Sequence, residues 1–439
     1  MSVSKNLRFI ASPVVSVNGT LRVPGDKSIS HRSIMLGALA KGTTHVTGFL
    51  SGDDNLATLN AFRQMGVSII GPEDGRLTIE GVGMHGLQQP EAPLELGNSG
   101  TSMRLLCGLL SAQQFDATLT GDSSLNTRPM RRVTSPLSEM GANLQTTESG
   151  TPPITISGKQ SLTGIDYVMP MASAQVKSCV LLAGLYAVGD TCVTEPAPTR
   201  DHTERMLKGF GYKVARTDNK ACLTGGGELT ATDIDVPGDI SSAAFFMVAA
   251  CIAKNAELRL EHVGINPTRV GVINILRAMG GDIRLENERE IGGEPIADII
   301  VKSSNLKGIH IPEAEVPLAI DEFPAIFIAA ACAQGETLLT GAEELRVKES
   351  DRIQVMADGL IALGIDARAT TDGIVIQGGQ LQAGEVHSHG DHRIAMSFAM
   401  ASLRAQGEIT IHDCKNVDTS FPNFAELANQ VGFSIKKTS

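Results

Sequence analysis

Val23-Pro-Gly-Asp26 returns as Val236-Pro-Gly-Asp239, and each copy stands just ahead of an apolar run. A Pro-Gly pair punctuates a chain rather than continuing a helix or strand. The echo therefore predicts two related halves, with hinges near 23–26 and 235–239 and a cleft between them. The first half is expected over 24–237; residues 1–23 and 238–439 are expected to form the second.

One unit recurs six times along the chain. It consists of an Ala/Leu-rich helical stretch, a Gly or polar turn, a short β-like run, a charged segment, a second amphipathic helix and a closing apolar-Gly pair. The copies run from Ser33 to Met65-Gly66, Ser102 to Met140-Gly141, Lys177 to Phe210-Gly211, Ser241 to Met279-Gly280, Pro324 to Leu363-Gly364 and Arg393 to Val431-Gly432. In the second helix of the first copy, Leu56, Leu59, Phe62 and Met65 recur at spacings of three and four, which marks one buried face. The closing Gly suits a helix C-cap, after which a strand such as Val67 to Ile70 can begin. The copies recur every 65–80 residues or so, too far apart for solenoid repeats of about 20–50 residues. The expected fold is α/β (α+β): two domains, each of three β-α-β-α-β-β units in a pseudo-threefold arrangement.

Composition fits two cores. The chain has 439 residues, 42% of them hydrophobic, with no Trp and 4% aromatics. Leu, Ile, Val, Ala and Met must fill the interior, which favours helices packed on sheets over an all-β sandwich. The formal charge of −11 argues against a nucleic-acid partner, since such proteins need a surplus of Lys and Arg along one face. A pocket for a small anion needs only a few converging cations, whatever the global charge. The seven cysteines are scattered and odd in number, so no disulfide framework or zinc knuckle is expected. Met1 to Ser12 lacks a signal-peptide apolar region, and no apolar run reaches the roughly 18 residues of a membrane span. The expected setting is cytoplasmic, with no membrane partner.

Charge is concentrated in a few places. Arg346-Val-Lys-Glu-Ser-Asp-Arg352 packs three cations and two carboxylates beside the apolar run Phe323 to Ala333. Pro24-Gly-Asp-Lys-Ser-Ile-Ser-His-Arg32 leads into the first helix. Cations ordinarily avoid a helix N-terminus, so Lys27, Ser28 and Arg32 there point to a bound anion. This is no P-loop, because Lys27 follows Asp26 and no Gly stands five residues earlier. Gly97-Asn-Ser-Gly-Thr-Ser-Met-Arg104 is a Gly-rich turn that lets a ligand approach the backbone. Further polar insertions recur at corresponding places: Arg128, Ser173 and Gln175, Arg200-Asp-His202, Asp321-Glu322, Lys348-Glu349, and Asp391-His-Arg393. Two patterns are set aside. Gly81-Val-Gly-Met-His-Gly86 matches a dinucleotide fingerprint, but Pro90 and Pro93 follow where that fold needs a helix. His387, His389 and His392 lack a completing carboxylate or Cys pattern, so no metal is expected.

Taken together these residues resemble the 5-enolpyruvylshikimate-3-phosphate synthase family. Its signatures are matched in order by Pro24 to Arg32, Gly97 to Arg104, Arg346 to Arg352 and Asp391-His-Arg-Ile-Ala-Met396, and the match covers nearly the whole chain. The resemblance implies two three-unit domains closing on substrates at the hinge. It implies transfer of the enolpyruvyl group of phosphoenolpyruvate to the 5-hydroxyl of shikimate 3-phosphate, releasing phosphate, in aromatic amino acid biosynthesis, without a cofactor. Shikimate 3-phosphate would be held by Lys27, Ser28, Arg32, Ser173, Gln175, Asp321 and Lys348. Phosphoenolpyruvate would meet Lys27, Gly100, Arg128, Gln175, Arg352 and Arg393. Addition and elimination through a tetrahedral intermediate need two proton-transfer groups. Asp321 is the candidate for the hydroxyl and Glu349 for the methylene carbon, with Lys27 among the groups that stabilise developing charge. Both partners are small anions, and the chain is expected to act as a monomer. Some members carry Lys where Thr419 precedes Ser420-Phe-Pro, and Gly100 leaves room where Ala would crowd the inhibitor glyphosate.

Two other readings remain. The sister enzyme acting on UDP-N-acetylglucosamine shares the fold, but places a reactive Cys in a loop of the first half and Asn after the Lys. Here Ser28 follows Lys27, and Cys107 falls in an apolar helix. A non-catalytic repeat scaffold would explain six units but not the placement of Asp321, Glu349 and the four cations Lys27, Arg128, Arg352 and Arg393.

Overall fold

Six helices that are apolar on nearly every side form the interior. They are α1 (Lys27–Leu39), α2 (Gly100–Leu110), α3 (Ala174–Gly184), α4 (Ile240–Ile252), α5 (Phe323–Cys332) and α6 (His392–Ala401), one per recurring unit. A helix without a polar face has to be enclosed all round, and all thirteen residues of α4 are buried. The computed structural model describes residues 7–439, so expectations for Met1 to Asn6 lie outside the described residues.

The chain divides into two compact units. The first domain is Gly25–Val236 with Glu290–Glu294; the second comprises the described residues up to Pro24, Pro237–Arg289 and Pro295–Ser439. This departs from the expected continuous stretch 238–439 at Glu290–Glu294. There Glu294 meets the His202 ring of the first domain's own fold, at 2.8 Å. Each unit has its own hydrophobic core, and in the second domain α4, α5 and α6 pack against one another as a trio.

The described residues form six sheets, and most share a pattern. A short strand pairs in parallel with the strand after the central helix, as Leu94–Glu95 does with Ala117–Thr120 and Asp166–Val168 with Asp190–Thr194. An antiparallel hairpin then completes the sheet. Strand Arg8–Ser12 lies between Ile409–His412 and Ser434–Thr438, and Val17–Leu21 pairs with Ala256–Gly264. The second helix of each unit ends where the closing pair predicts. Gly66, Gly141, Gly211, Gly280, Gly364 and Gly432 have φ of 86°, 98°, 81°, 97°, 82° and 106°. This left-handed backbone stops a helix and is open to Gly without a Cβ clash. The residue before each (Met65, Met140, Phe210, Met279, Leu363, Val431) is buried.

One expectation is corrected. Cys192 and Cys222 are joined by a disulfide. They lie 30 residues apart, but the register of antiparallel strands Asp190–Thr194 and Lys220–Thr224 sets them directly opposite each other. Spacing along the chain carries no trace of such a cross-strand pair. Among the described residues no helix is long and apolar enough to cross a membrane.

Candidate active site

Four of the six central helices leave the same part uncovered. In α1, α2, α3 and α6 the body is buried while the first turn stays partly open: Lys27 and Ser28, Thr101 and Arg104, Ala174 and Gln175, His392 and Arg393. Unpaired N–H groups and the positive end of the dipole meet there. Side chains of Asp26, Ser99, Ser173 and Asp391 cap these turns by accepting from Ile29, Ser102, Val176 and Arg393 amides.

In the first domain, polar contacts tie the three N-terminal regions together. Arg104 Nη1 donates to Gln175 Oε1 at 2.6 Å, and Gln175 Nε2 donates to Thr101 Oγ1 at 3.0 Å. Arg32 Nε donates to Thr203 Oγ1 at 2.7 Å, Nη2 to Ser178 Oγ at 2.8 Å, and Nη1 to the Ser28 carbonyl at 3.0 Å. Lys27 pairs with Asp54, and Asn55 Nδ2 donates to the Lys27 carbonyl. Arg128 is held by Asn98 and Ser124. Gly100 marks where two guanidinium groups converge: a Cβ there would stand 2.9 Å from Arg104 Nη1 and 3.2 Å from Arg128 Nη1. Burial and the neighbouring Arg128 and Arg132 bring the Arg104 guanidinium down to about 10. Two crowded cations at a helix N-terminus form a receptor for an anion. Sequence reading quoted Arg104 but gave it no role.

In the second domain the cluster is built on Arg352, whose side chain is 1% exposed. Its Nε donates to Asp391 Oδ2 at 2.8 Å, and its Nη2 to Glu349 Oε2 at 2.5 Å. Nη1 lies 3.5 Å from Asp321 Oδ1 yet has no hydrogen-bond partner among the described residues. Lys348 Nζ stands 3.6 Å from the same oxygen, and Arg393 Nη1 donates to the Asp321 carbonyl at 2.9 Å. Burial would lower Arg352, but Glu349, Asp391 and Asp321 outweigh it and raise it above the ordinary arginine value. For Glu349, burial pulls upward, while Arg352, His392 and Arg393 hold the carboxyl far below its ordinary range. The Glu349 side chain is 38% exposed, so water screens part of that pull. These cations favour the carboxylate form of Glu349 in this arrangement.

Other residues of the quoted stretches turn elsewhere. Arg346 ties down Thr370, Thr371 and Asp351. Thr419 Oγ1 donates to the Asn416 carbonyl of its own turn. His387 stacks on His412 with ring centroids 4.5 Å apart, while His392 opens α6. Sequence reading also missed Asp391 as the buried anchor of Arg352; its place ahead of a helix containing Arg393 signalled only a cap.

The family model for EPSP synthase (3-phosphoshikimate 1-carboxyvinyltransferase) matches residues 12–427. The chain belongs to the EPSP synthase family. It is 67% identical over 432 residues to the 3-phosphoshikimate 1-carboxyvinyltransferase of Methylococcus capsulatus, covering 98% of this chain and 99% of that one. The Nitrosococcus oceani enzyme of the same name is 66% identical, with 98% and 97% covered. A solved EPSP synthase from Acinetobacter baumannii superimposes with a TM-score of 0.92 at 63% identity, covering 99% of this chain and all of that one. As an EPSP synthase, the chain is a transferase of the shikimate pathway, moving the carboxyvinyl group of phosphoenolpyruvate to shikimate 3-phosphate. Neither the UDP-N-acetylglucosamine reading nor the scaffold reading stands against this membership.

Proposed function

We propose that the two clusters serve one reaction. Lys27, Ser28, Arg32, Ser173, Gln175, Asp321 and Lys348 hold shikimate 3-phosphate; Lys27, Gly100, Arg128, Gln175, Arg352 and Arg393 hold phosphoenolpyruvate, with Arg104 beside Arg128. The observation that carries this is the buried Arg352 Nη1 with no hydrogen-bond acceptor, 3.5 Å from Asp321. A buried guanidinium N–H without an acceptor is costly, and an anionic oxygen supplies what is missing. Arg32 has an acceptor on each of its three nitrogens, so it contributes chiefly charge.

The chemistry follows from the pairings. Asp321, a carboxylate between Lys348 and Arg352, takes the proton of the 5-hydroxyl as the oxygen bonds to C2 of phosphoenolpyruvate. Glu349 delivers a proton to the methylene carbon. While Arg352 donates to Glu349, that carboxyl resists protonation; once Arg352 turns its charge to a substrate anion, the hold weakens and Glu349 becomes an acid. Elimination then returns a proton from the new methyl group and expels phosphate, whose charge Lys27 and the arginines offset. We further propose that the enzyme works as a cytoplasmic monomer.

The test is phosphate release from phosphoenolpyruvate with shikimate 3-phosphate or UDP-N-acetylglucosamine as acceptor, followed by recovery of phosphoenolpyruvate from D2O. Release is expected with the shikimate ester alone, and Glu349→Gln should abolish deuterium entry into the methylene group. Undiminished exchange in that variant removes Glu349 from its role.

A further inference from the structure

Behind the first-domain cluster lies a charged triad that the reaction does not touch. Lys177, on α3 two residues after Gln175, is 1% exposed. Its Nζ is 3.0 Å from Glu195 Oε2 and 2.9 Å from Glu204 Oε1, and donates to the Thr199 carbonyl at 3.4 Å. Both carboxylate side chains are no more than 3% exposed. Glu195 also accepts from Thr199 Oγ1 and lies 3.7 Å from Arg216. Three charges withdrawn from water this fully are costly, and often stabilise less than apolar side chains of the same size. Their arrangement points to a purpose other than stability.

The triad is one residue removed from the clamp on Arg32. Ser178 follows Lys177 and Thr203 precedes Glu204; Thr203 donates to Ser178 at 2.8 Å, and both hydroxyls receive Arg32. The Lys177–Glu204 pair therefore runs alongside the Ser178–Thr203 pair and fixes α3 against helix His202–Gly209. On its other side, Lys177 fixes the loop after strand Asp190–Thr194 at Glu195 and Thr199, the residue before Arg200. Arg32 and Arg200 repel one another: burial and Arg200 both lower Arg32, while Glu204 and Asp26 act against them. Lys177 ties down the backbone on both sides of this repulsion, at Glu204 beside the Arg32 clamp and at Thr199 beside Arg200.

We propose that Lys177, Glu195 and Glu204 are positioning residues that set Arg32 and the Arg200 loop for shikimate 3-phosphate. This rests on the substrate assignment under Proposed function. The decisive variant is Lys177→Met with Glu204→Gln, which removes one charge of each sign and leaves the local net charge as it was. In a folded double variant, the KM for shikimate 3-phosphate should rise about ten-fold, with the KM for phosphoenolpyruvate and kcat within two- to three-fold of wild type. Lys177→Arg, which keeps the cation, should stay close to wild type. A shikimate 3-phosphate KM within two-fold of wild type overturns the proposal, as does an equal rise in both KM values, which would mean general loosening. If the double variant does not fold, Glu195→Gln, which leaves the Lys177–Glu204 pair whole, should raise the same KM about three-fold; no rise there overturns the proposal too. Wild-type enzyme that releases no phosphate with shikimate 3-phosphate would instead overturn the substrate assignment itself.

Discussion

Replacing Arg352 by Lys isolates what its guanidinium does beyond carrying charge. Removal of the cation altogether would strand Asp391, which is fully buried, at a cost of about 3–5 kcal/mol that confuses folding with catalysis. Lys keeps a positive charge beside Asp391, so the domain should fold. An ammonium on a flexible stem, however, has no second nitrogen to spare. It cannot serve Asp391 and Glu349, as Nε and Nη2 do, and still present the free N–H that Nη1 offers. The variant should therefore lose about one charge-assisted hydrogen bond to the substrate anion, roughly 1.5–3 kcal/mol. At 1.36 kcal/mol per decade this is a fall of about 10- to 150-fold in kcat/KM for phosphoenolpyruvate. Initial rates of phosphate release at saturating shikimate 3-phosphate give the number, with circular dichroism confirming the fold. A folded Arg352→Lys enzyme within two-fold of wild type would refute the idea that Nη1 is reserved for substrate.

Asp321→Asn should leave binding of both substrates nearly intact, read by calorimetry, while turnover slows by about 10²-fold or more; near-normal turnover removes Asp321 from the proton transfer. Gly100→Ala pushes a methyl toward Arg104 and Arg128, so the KM for phosphoenolpyruvate should rise about ten-fold and the glyphosate inhibition curve should move to higher concentration; an unmoved curve defeats the steric argument. His31, fully buried with its Nδ1 2.8 Å from Thr58 Oγ1, is pulled from 6.5 to about 3, chiefly by burial. The unfolded chain therefore binds a proton that the folded one refuses between these values, and stability should fall as pH drops through that window, by up to about 1.4 kcal/mol per unit. His31→Asn should flatten the slope of melting temperature against pH below 6.5, and an identical slope in the variant would rule His31 out.

Local rules carried much of this molecule. The closing Gly of each unit reads as a helix stop because its backbone conformation is one that other residues resist, and all six occupy it. The cations Lys27 and Arg32 point to a bound anion in the sequence because they contradict the dipole of the helix they begin. What stayed hidden depends on partners remote in sequence. Lys177 looks like a stray cation in an apolar helix until Glu195 and Glu204 fold onto it. Cys192 finds Cys222 through strand register, and the Glu349 carboxyl is held below its ordinary range by Arg352, His392 and Arg393, which folding brings around it. Pattern placed Glu349 near the chemistry, but its protonation state comes from tertiary neighbours.

Strand Arg8–Ser12 pairs with Ile409–His412 and Ser434–Thr438, and this has a consequence for how the molecule is made. At about 5–20 residues per second on the ribosome, that strand waits roughly 20–80 s for its neighbours to be synthesised. Almost all of the first domain, Gly25–Val236, emerges in one stretch in the meantime and can complete most of its own core. The second domain is therefore assembled last, around a leading strand that must stay unclaimed by other sheet edges until the final residues arrive.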